Sequence, residues 1–117
     1  MAKKLKTVTL TVATRNQVRK RAVAAFSGEQ QDARISFASI ELLWKTLNTK
    51  RGDILRAMTG QGALSIREVA RRVERDVKAV HGDVHILLNA GVIDRNPEGL
   101  VVFPYDVVHV DFELQAA

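Results

Sequence analysis

The 117-residue sequence contains no cysteine, only two prolines, and few aromatic residues: one tryptophan, one tyrosine and four phenylalanines. Without cysteine, disulfides and thiolate metal ligands are excluded, and a reducing cytoplasm is a compatible location. No apolar run approaches the length of about 18 residues that a membrane-spanning helix needs. Residues 1–12 carry lysines and alternating threonines instead of an apolar core with a cleavage site, so no signal peptide is expected. We therefore expect a cytoplasmic protein.

Positive charge is concentrated in the first half of the chain. Residues 1–60 hold twelve Lys/Arg and four Asp/Glu (12 − 4 = +8), whereas residues 61–117 hold six and nine (6 − 9 = −3), which together give the net charge of +5. This excess favours an anionic partner, although a solvated surface gives the same imbalance. With 46% hydrophobic residues, the chain is long enough for one globular domain.

The first third of the sequence predicts a strand followed by helices. Residues 6–13 alternate threonine with valine or leucine, which is typical of a half-buried strand. Thr14 suits the cap of a basic helix over residues 14–27 that reaches phosphates, supports a partner or is simply solvated. The polar residues 29–34 predict a loop.

Residues 35–48 have two interpretations. They start as a short strand at residues 35–37, or they enter a helix directly, with Ile40, Leu43 and Leu47 inward. We favour the direct helix, in which Trp44 lies near one edge.

Three further helices follow with short turns between them. The first begins at a Thr49 cap. The second begins at Ser65, which forms an S-x-x-E capping box with Glu68, and the third begins at Asp76 and stops before Gly91. Their predicted inward positions are Ile54, Leu55 and Met58, then Ile66, Val69, Ala70 and Val73, then Val77, Val80, Val84, Leu87 and Leu88.

A hairpin and a last strand complete the predicted elements. Residues 92–95 and 100–103 flank Asn-Pro-Glu-Gly at residues 96–99, which suits a tight reversal. Residues 107–114 alternate, with Val108, Val110, Phe112 and Leu114 on one side. Because single strands with open edges associate readily, the first and last strands should pair within the chain or across a two-fold axis.

Three helices followed by a hairpin resemble the winged helix-turn-helix of MarR-like and ArsR-like regulators, over about residues 49–103. The segments IREVARRV and DVKAVHGDVHILLNAGVIDR carry the resemblance. The positions that fit the recognition helix of those families as it runs into the wing are Val77, Val80, Val84, Leu87, Gly91, Val92 and Ile93. The flanking strands and the pair Tyr105 and Asp106 also resemble a group of predicted regulators in toxin–antitoxin loci.

The resemblance implies an α+β fold, a winged helix-turn-helix with extra N- and C-terminal strands. Residues 1–48 would serve dimerisation or support, residues 49–104 would form the winged helix-turn-helix, and residues 105–117 the C-terminal strand, all in one compact domain. It implies a homodimeric, autoregulatory transcriptional regulator that binds double-stranded DNA through a recognition helix at about residues 76–90. A toxin protein is a further expected partner.

Several residues are candidates for DNA contact. On the recognition helix, the positions turned outward are Lys78, His81, Gly82, His85 and Asn89. Phosphate contacts are expected from Arg67, Arg71, Arg72, Arg75 and the wing residue Arg95, with Lys50 or Arg51 as further options. Some of these cations should pair with Glu68, Glu74, Asp76 or Asp83.

Gly82 is informative because a glycine inside a helix costs about 1 kcal/mol relative to alanine. We hypothesise that DNA or a neighbouring helix approaches the backbone there. The alternative is a tolerated weak spot.

Other chemistry finds little support in the sequence. His81 and His85 have the i, i+4 spacing that presents two imidazoles to one metal ion, but Asp83 points elsewhere and His109 lies on a distant strand, so no metal or cofactor is predicted. No serine has a nucleophile motif, and the Gly60-x-Gly62 turn lacks a following lysine, so we predict no enzyme. The alternative function is a protein-interaction module, or an antitoxin that binds its toxin by strand addition, with DNA binding secondary.

Overall fold

A computed structural model of the chain describes residues 5–12 and 33–113. This part is a small α+β unit, and the predicted helix at residues 14–27, most of the predicted loop and Leu114 lie outside it. Its elements, in chain order, are β1 (Thr7–Val12), β2 (Ala33–Phe37), α1 (Ile40–Thr46), α2 (Thr49–Met58), α3 (Ile66–Val73), α4 (Val77–Asn89), β3 (Asp94–Arg95), β4 (Val101–Val102) and β5 (Val107–Asp111). None of these helices has the length and apolar character needed to cross a membrane.

The two strands predicted at the ends of the sequence pair within the chain. In a three-stranded sheet of order β2-β1-β5, β1 is central and parallel to both neighbours. The backbone N–H of Lys6 donates to Asp106 Oδ2 at 2.9 Å, next to the start of the β1 and β5 register. The prediction of a half-buried strand was wrong, because Thr9 and Thr11 are each only 7% exposed. Burial on both faces is usual for a central parallel strand.

The segment from residue 33, where the described part of the chain resumes, starts as a strand. This is the interpretation that we did not favour. Residues Ala33–Phe37 form β2, so residues 33 and 34, predicted to be loop, belong to a strand, and α1 starts later than expected. Ser39 caps α1, its hydroxyl accepting from the backbone N–H of Leu42 at 3.2 Å. Leu43 is buried, and the half-exposed Trp44 meets the ring of Phe112 edge-on at 5.4 Å between centroids.

Short polar side chains cap the N-termini of the next three helices. Asn48, one residue before the predicted Thr49, caps α2 by accepting from the backbone N–H of Arg51. Ser65 caps α3 and Asp76 caps α4, both as predicted. Between α3 and α4, Glu74 takes the left-handed conformation (φ 55°), so the two helices join through a turn of three residues.

The three helices α2, α3 and α4 and the hairpin share one core with the sheet. Val77, predicted to be inward, is 41% exposed because α4 packs only from Val80 onward. The buried hydrophobic residues are Val8, Leu10, Leu43, Ile54, Leu55, Met58, Leu64, Val69, Ala70, Val80, Val84, Leu87, Val92, Ile93, Val101 and Phe103.

The hairpin reverses where the sequence predicts, with shorter strands. The side chain of Asn96 accepts from the backbone N–H groups of Glu98 and Leu100, and Gly99 supplies the positive φ of 81°. Leu64 exchanges two backbone hydrogen bonds with Val101, at 2.9 and 2.8 Å. The segment before α3 therefore extends the β3 and β4 ladder, a pairing that the sequence did not reveal.

Candidate nucleic-acid interface

Helix α4 presents a polar face that is largely exposed. Its apolar side, from Val80 to Leu87, is fully buried. The opposite side, here called the outer face, consists of Lys78, His81, Gly82, His85 and Asn89. Four of these residues are exposed and His85 is half-buried, as the helical periodicity predicted. The outer face therefore offers hydrogen-bonding side chains to a partner.

Gly82 lies in the middle of the outer face with open space before it. A Cβ atom built on this residue meets no described atom within 4 Å outside the local backbone of its helix. Close packing against a neighbouring helix within the described chain was one of our three explanations for a glycine here, and it does not apply. Approach by a different molecule and simple tolerance are the two explanations that stand.

Three arginines of α3 are exposed beside this helix: Arg67, Arg71 and Arg72. Glu68 accepts from both Arg71 and Arg72, with Arg71 Nε 2.9 Å from Oε2 and Arg72 Nε 3.0 Å from Oε1. Arg72 also donates to the side-chain oxygen of Gln61 at 2.8 Å. Arg67, by contrast, has no ion pair within the described residues.

The Glu68 cluster stays ionised at neutral pH. Hydrogen bonds from Arg71 and then Arg72 lower the pKa of Glu68 to about 2, and Glu68 in turn raises the pKa of Arg71. One anion thus offsets part of the positive charge of this cluster. Because exposed ion pairs contribute little net stability, these guanidinium groups can exchange Glu68 for another anion at small cost.

A buried group of three charges, here called the polar junction, fixes α4 to the rest of the chain. Arg51 Nη1 lies 2.8 Å from Asp83 Oδ1, and Arg75 Nη2 lies 2.8 Å from Asp83 Oδ2. Arg51 also donates to the backbone carbonyls of Lys45 and Thr46 at the end of α1. The junction therefore connects α1, α2, α4 and the turn before α4.

Two polar atoms of the polar junction have no hydrogen-bond partner. Asp83 Oδ2 and Arg75 Nη1 have no aligned hydrogen-bond partner, so the contact between Arg75 and Asp83 acts as an ion pair. Burial raises the pKa of Asp83, but Arg75 and Arg51 together lower it further, and the result lies below the ordinary value. Asp83 is therefore an anion at neutral pH.

These contacts alter the expected roles of two arginines. Arg51 is 8% exposed, so our suggestion that it reaches a DNA phosphate was wrong; its neighbour Lys50 is exposed. The side chain of Arg75 is 22% exposed and already engaged with Asp83. Arg95, on β3, is exposed.

The predicted pairing of an arginine with Asp83 is confirmed by Arg75, but sequence reasoning missed the burial of the polar junction and the part of Arg51 in it, although one signal was present. Asp83 lies three residues after Val80 and four before Leu87, and therefore belongs to the inward stripe of α4. An acid in such a stripe needs a buried cation. The sequence does not say that this cation comes from Arg51, 32 residues earlier.

The two histidines of the outer face converge. His81 Nε2 and His85 Nε2 are 3.1 Å apart, and the ring centroids are separated by 4.2 Å. Across residues 5–12 and 33–113, no group of three or more His, Cys, Asp or Glu side chains is placed to hold a metal ion. No described side chain beside the two histidines therefore supplies a third metal ligand.

These features define a small α+β domain in which three helices, a hairpin and an exposed polar helix face lie together. The family model HVO_A0114 matches residues 46–110, which is 65 of the 117 residues and runs from the end of α1 into β5. The chain belongs to the HVO_A0114 family. No curated protein and no solved structure shows a significant match.

Proposed function

We propose that this protein is a sequence-specific transcriptional regulator that binds double-stranded DNA through a winged helix-turn-helix. The observation that carries the proposal is the outer face of α4, which is polar, exposed and open at Gly82. Helices α3 and α4, joined by a three-residue turn, have the order of a helix-turn-helix, and α4 would be the recognition helix. The hairpin of β3 and β4 would be the wing.

In this proposal the residues divide by role. Lys78, His81 and His85 donate to base edges in the major groove, while Asn89 lies one turn further along. Gly82 lets the duplex approach the helix backbone. Phosphates bind five further exposed cations, which are Arg67, Arg71, Arg72, Arg95 and Lys50.

Arg75 and Arg51 act differently, through the polar junction. Their guanidinium groups hold Asp83 and so fix the direction of α4. They are positioning residues, and their loss would disturb recognition without removing a phosphate contact.

A homodimer suits this mode of binding. One copy of α4 reads one half-site, and two-fold pairing doubles the contact at a spacing of about one helical turn. Regulation of its own operon and action as the antitoxin of a toxin pair are part of the same proposal, on the resemblance described above.

The direct test is a mobility shift on the DNA upstream of the protein's own gene, repeated at several salt concentrations. Since the five cations of each chain would give a dimer up to about ten phosphate contacts, affinity should fall by at least about 1,000-fold between about 50 and 200 mM salt. Light scattering of the complex should give two chains per duplex. Failure to shift the upstream DNA at low salt, or equal affinity at all salt concentrations, would contradict the proposal.

The Gly82→Ala substitution should separate stability from DNA binding. Nothing obstructs the new methyl group, so the free energy of unfolding should rise by about 0.5–1 kcal/mol. If the duplex approaches this backbone, DNA affinity should fall about tenfold. Gly52→Ala, on α2, is the matched control, because its Cβ also meets no atom within 4 Å. It should gain stability and leave DNA affinity unchanged; a Gly82→Ala variant that binds DNA like the wild type would sink the close-approach hypothesis.

A second candidate function rests on the sheet. In the described chain, β2 and β5 lie at the two edges of the sheet, where each has one side without a paired strand. An extended segment of a protein partner, such as a toxin, would add to such an edge through backbone hydrogen bonds. This interaction leaves α4 free, so a protein with this function alone would tolerate charge reversal on α3.

A further inference from the structure

We propose that His81 and His85 together bind one divalent transition-metal ion on the outer face of α4. The geometry points to this site because their Nε2 atoms, the ring atoms that face each other, are 3.1 Å apart. Two nitrogens that each lie about 2.0–2.1 Å from one ion are separated by about 2.9 Å at a right angle and about 3.4 Å at the tetrahedral angle. The observed separation falls between these limits. The ring centroids are only 4.2 Å apart, so the two rings must turn about their side-chain bonds to face one ion, but no change of backbone is needed.

The helix holds the two ligands in place. His81 and His85 are one turn apart in the middle of a helix of 13 residues, away from the ends where helices fray. His81 is exposed and gives the ion access from solvent, while His85 is half-buried and so has a restricted ring. Binding therefore requires little ordering of the side chains.

The surroundings decide which ions bind. The carboxylate of Asp83 is committed to the polar junction, and Lys78, on the same face, carries a positive charge. Two imidazoles are thus the protein ligands, and water fills the remaining positions. Imidazole suits Ni²⁺, Cu²⁺ and Zn²⁺, whereas Mg²⁺ and Ca²⁺ prefer oxygen.

One consequence rests on the proposed function. If the outer face enters the major groove, a metal ion on the two histidines occupies the same surface as the bases. Metal and DNA then weaken each other's binding by the same factor, because coupling between two equilibria is reciprocal. The protein would release its DNA when such an ion becomes available.

Isothermal titration of Ni²⁺ and Zn²⁺ into the untagged full chain tests the site without DNA. We expect one ion per chain and no binding of Mg²⁺. His81→Gln and His85→Gln should each weaken binding by more than about tenfold, since each removes one of two ligands. The sequence has three histidines, so His109→Gln, on the exposed side of β5, is the matched control and should bind as the wild type does.

Two results would overturn the metal site. Unchanged Ni²⁺ affinity in both His81→Gln and His85→Gln would show that the pair is only a hydrogen-bonded contact, and an equal loss in His109→Gln would show non-specific binding. The coupling to DNA is read separately, by mobility shift with and without Ni²⁺. Metal binding that persists in a protein without DNA affinity would contradict the proposed function while leaving the metal site in place.

Discussion

Asp83→Asn is expected to lower the free energy of unfolding by about 3 kcal/mol at neutral pH. The substitution keeps the shape of the side chain but leaves Arg51 and Arg75 without their anion. Asp83 has a side chain only 13% exposed, and Arg51 is also buried, so water cannot replace the lost charge easily. Denaturation by urea measures the change as a lower midpoint with an unchanged slope.

The matched control is Asp53→Asn on α2, where the carboxylate is exposed. It should change the free energy of unfolding by less than about 0.5 kcal/mol. Equal stability of Asp83→Asn and Asp53→Asn would show that the polar junction contributes nothing to the fold.

Acidification should reduce the difference between wild type and Asp83→Asn. The pKa of Asp83 is lower in the folded chain than its ordinary value of 3.8. Its contribution is therefore complete above about pH 4 and is lost as the pH falls through the lower, folded pKa. Urea midpoints of the two proteins should converge below pH 4 and stay apart from pH 5 to 8.

Reversal of Arg71 and Arg72 to glutamate should abolish specific DNA binding, with a loss of affinity of about 100-fold or more. Both side chains are exposed on α3 and already bind an anion, the carboxylate of Glu68. Two new acids beside it would repel phosphate. The salt dependence of the remaining binding should also become shallower.

A control with the same change in charge is available elsewhere on the chain. Arg34→Glu with Lys45→Glu alters exposed residues of β2 and α1, and each double variant changes the net charge from +5 to +1 (5 − 4 = 1). DNA affinity should fall much less in this control. Glu68 and the two new glutamates repel one another on α3. If this repulsion unfolds the reversed variant, the neutral pair Arg71→Gln and Arg72→Gln takes its place in the DNA-binding measurement. Equal losses of DNA affinity in the α3 variant and the control would show that overall charge alone accounts for the effect.

Local signals in the sequence predicted the middle of the fold well. Ser65 and Asp76 cap their helices through side chains within three residues of the groups they bind, and Asn96 closes its turn within four residues. Such contacts depend on neighbouring residues alone. The outer face of α4 followed from helical periodicity in the same way, which is why its five positions could be named in advance.

Contacts between distant residues were harder to predict from the sequence. Thr9 and Thr11 have the alternation of a half-buried strand, but both are buried in the central strand of the sheet, a position that alternation alone does not reveal. Arg51 occupies the first turn of a helix, where arginine is usually exposed, and its burial depends on Asp83 32 residues later. The inward position of Asp83 indicates a buried cation, but the local pattern does not identify which residue supplies it.

The position of β1 at the centre of the sheet also constrains how the chain folds as it is made. Its partner β5 is about 100 residues further along, as the bond between Lys6 and Asp106 shows. The helices α2 to α4 and the hairpin can form early, and β1 can pair with β2, whereas the other edge of β1 must wait for nearly the last described strand to leave the ribosome. Until then that edge stays unpaired. This interval exposes the nascent chain to aggregation or capture by a chaperone.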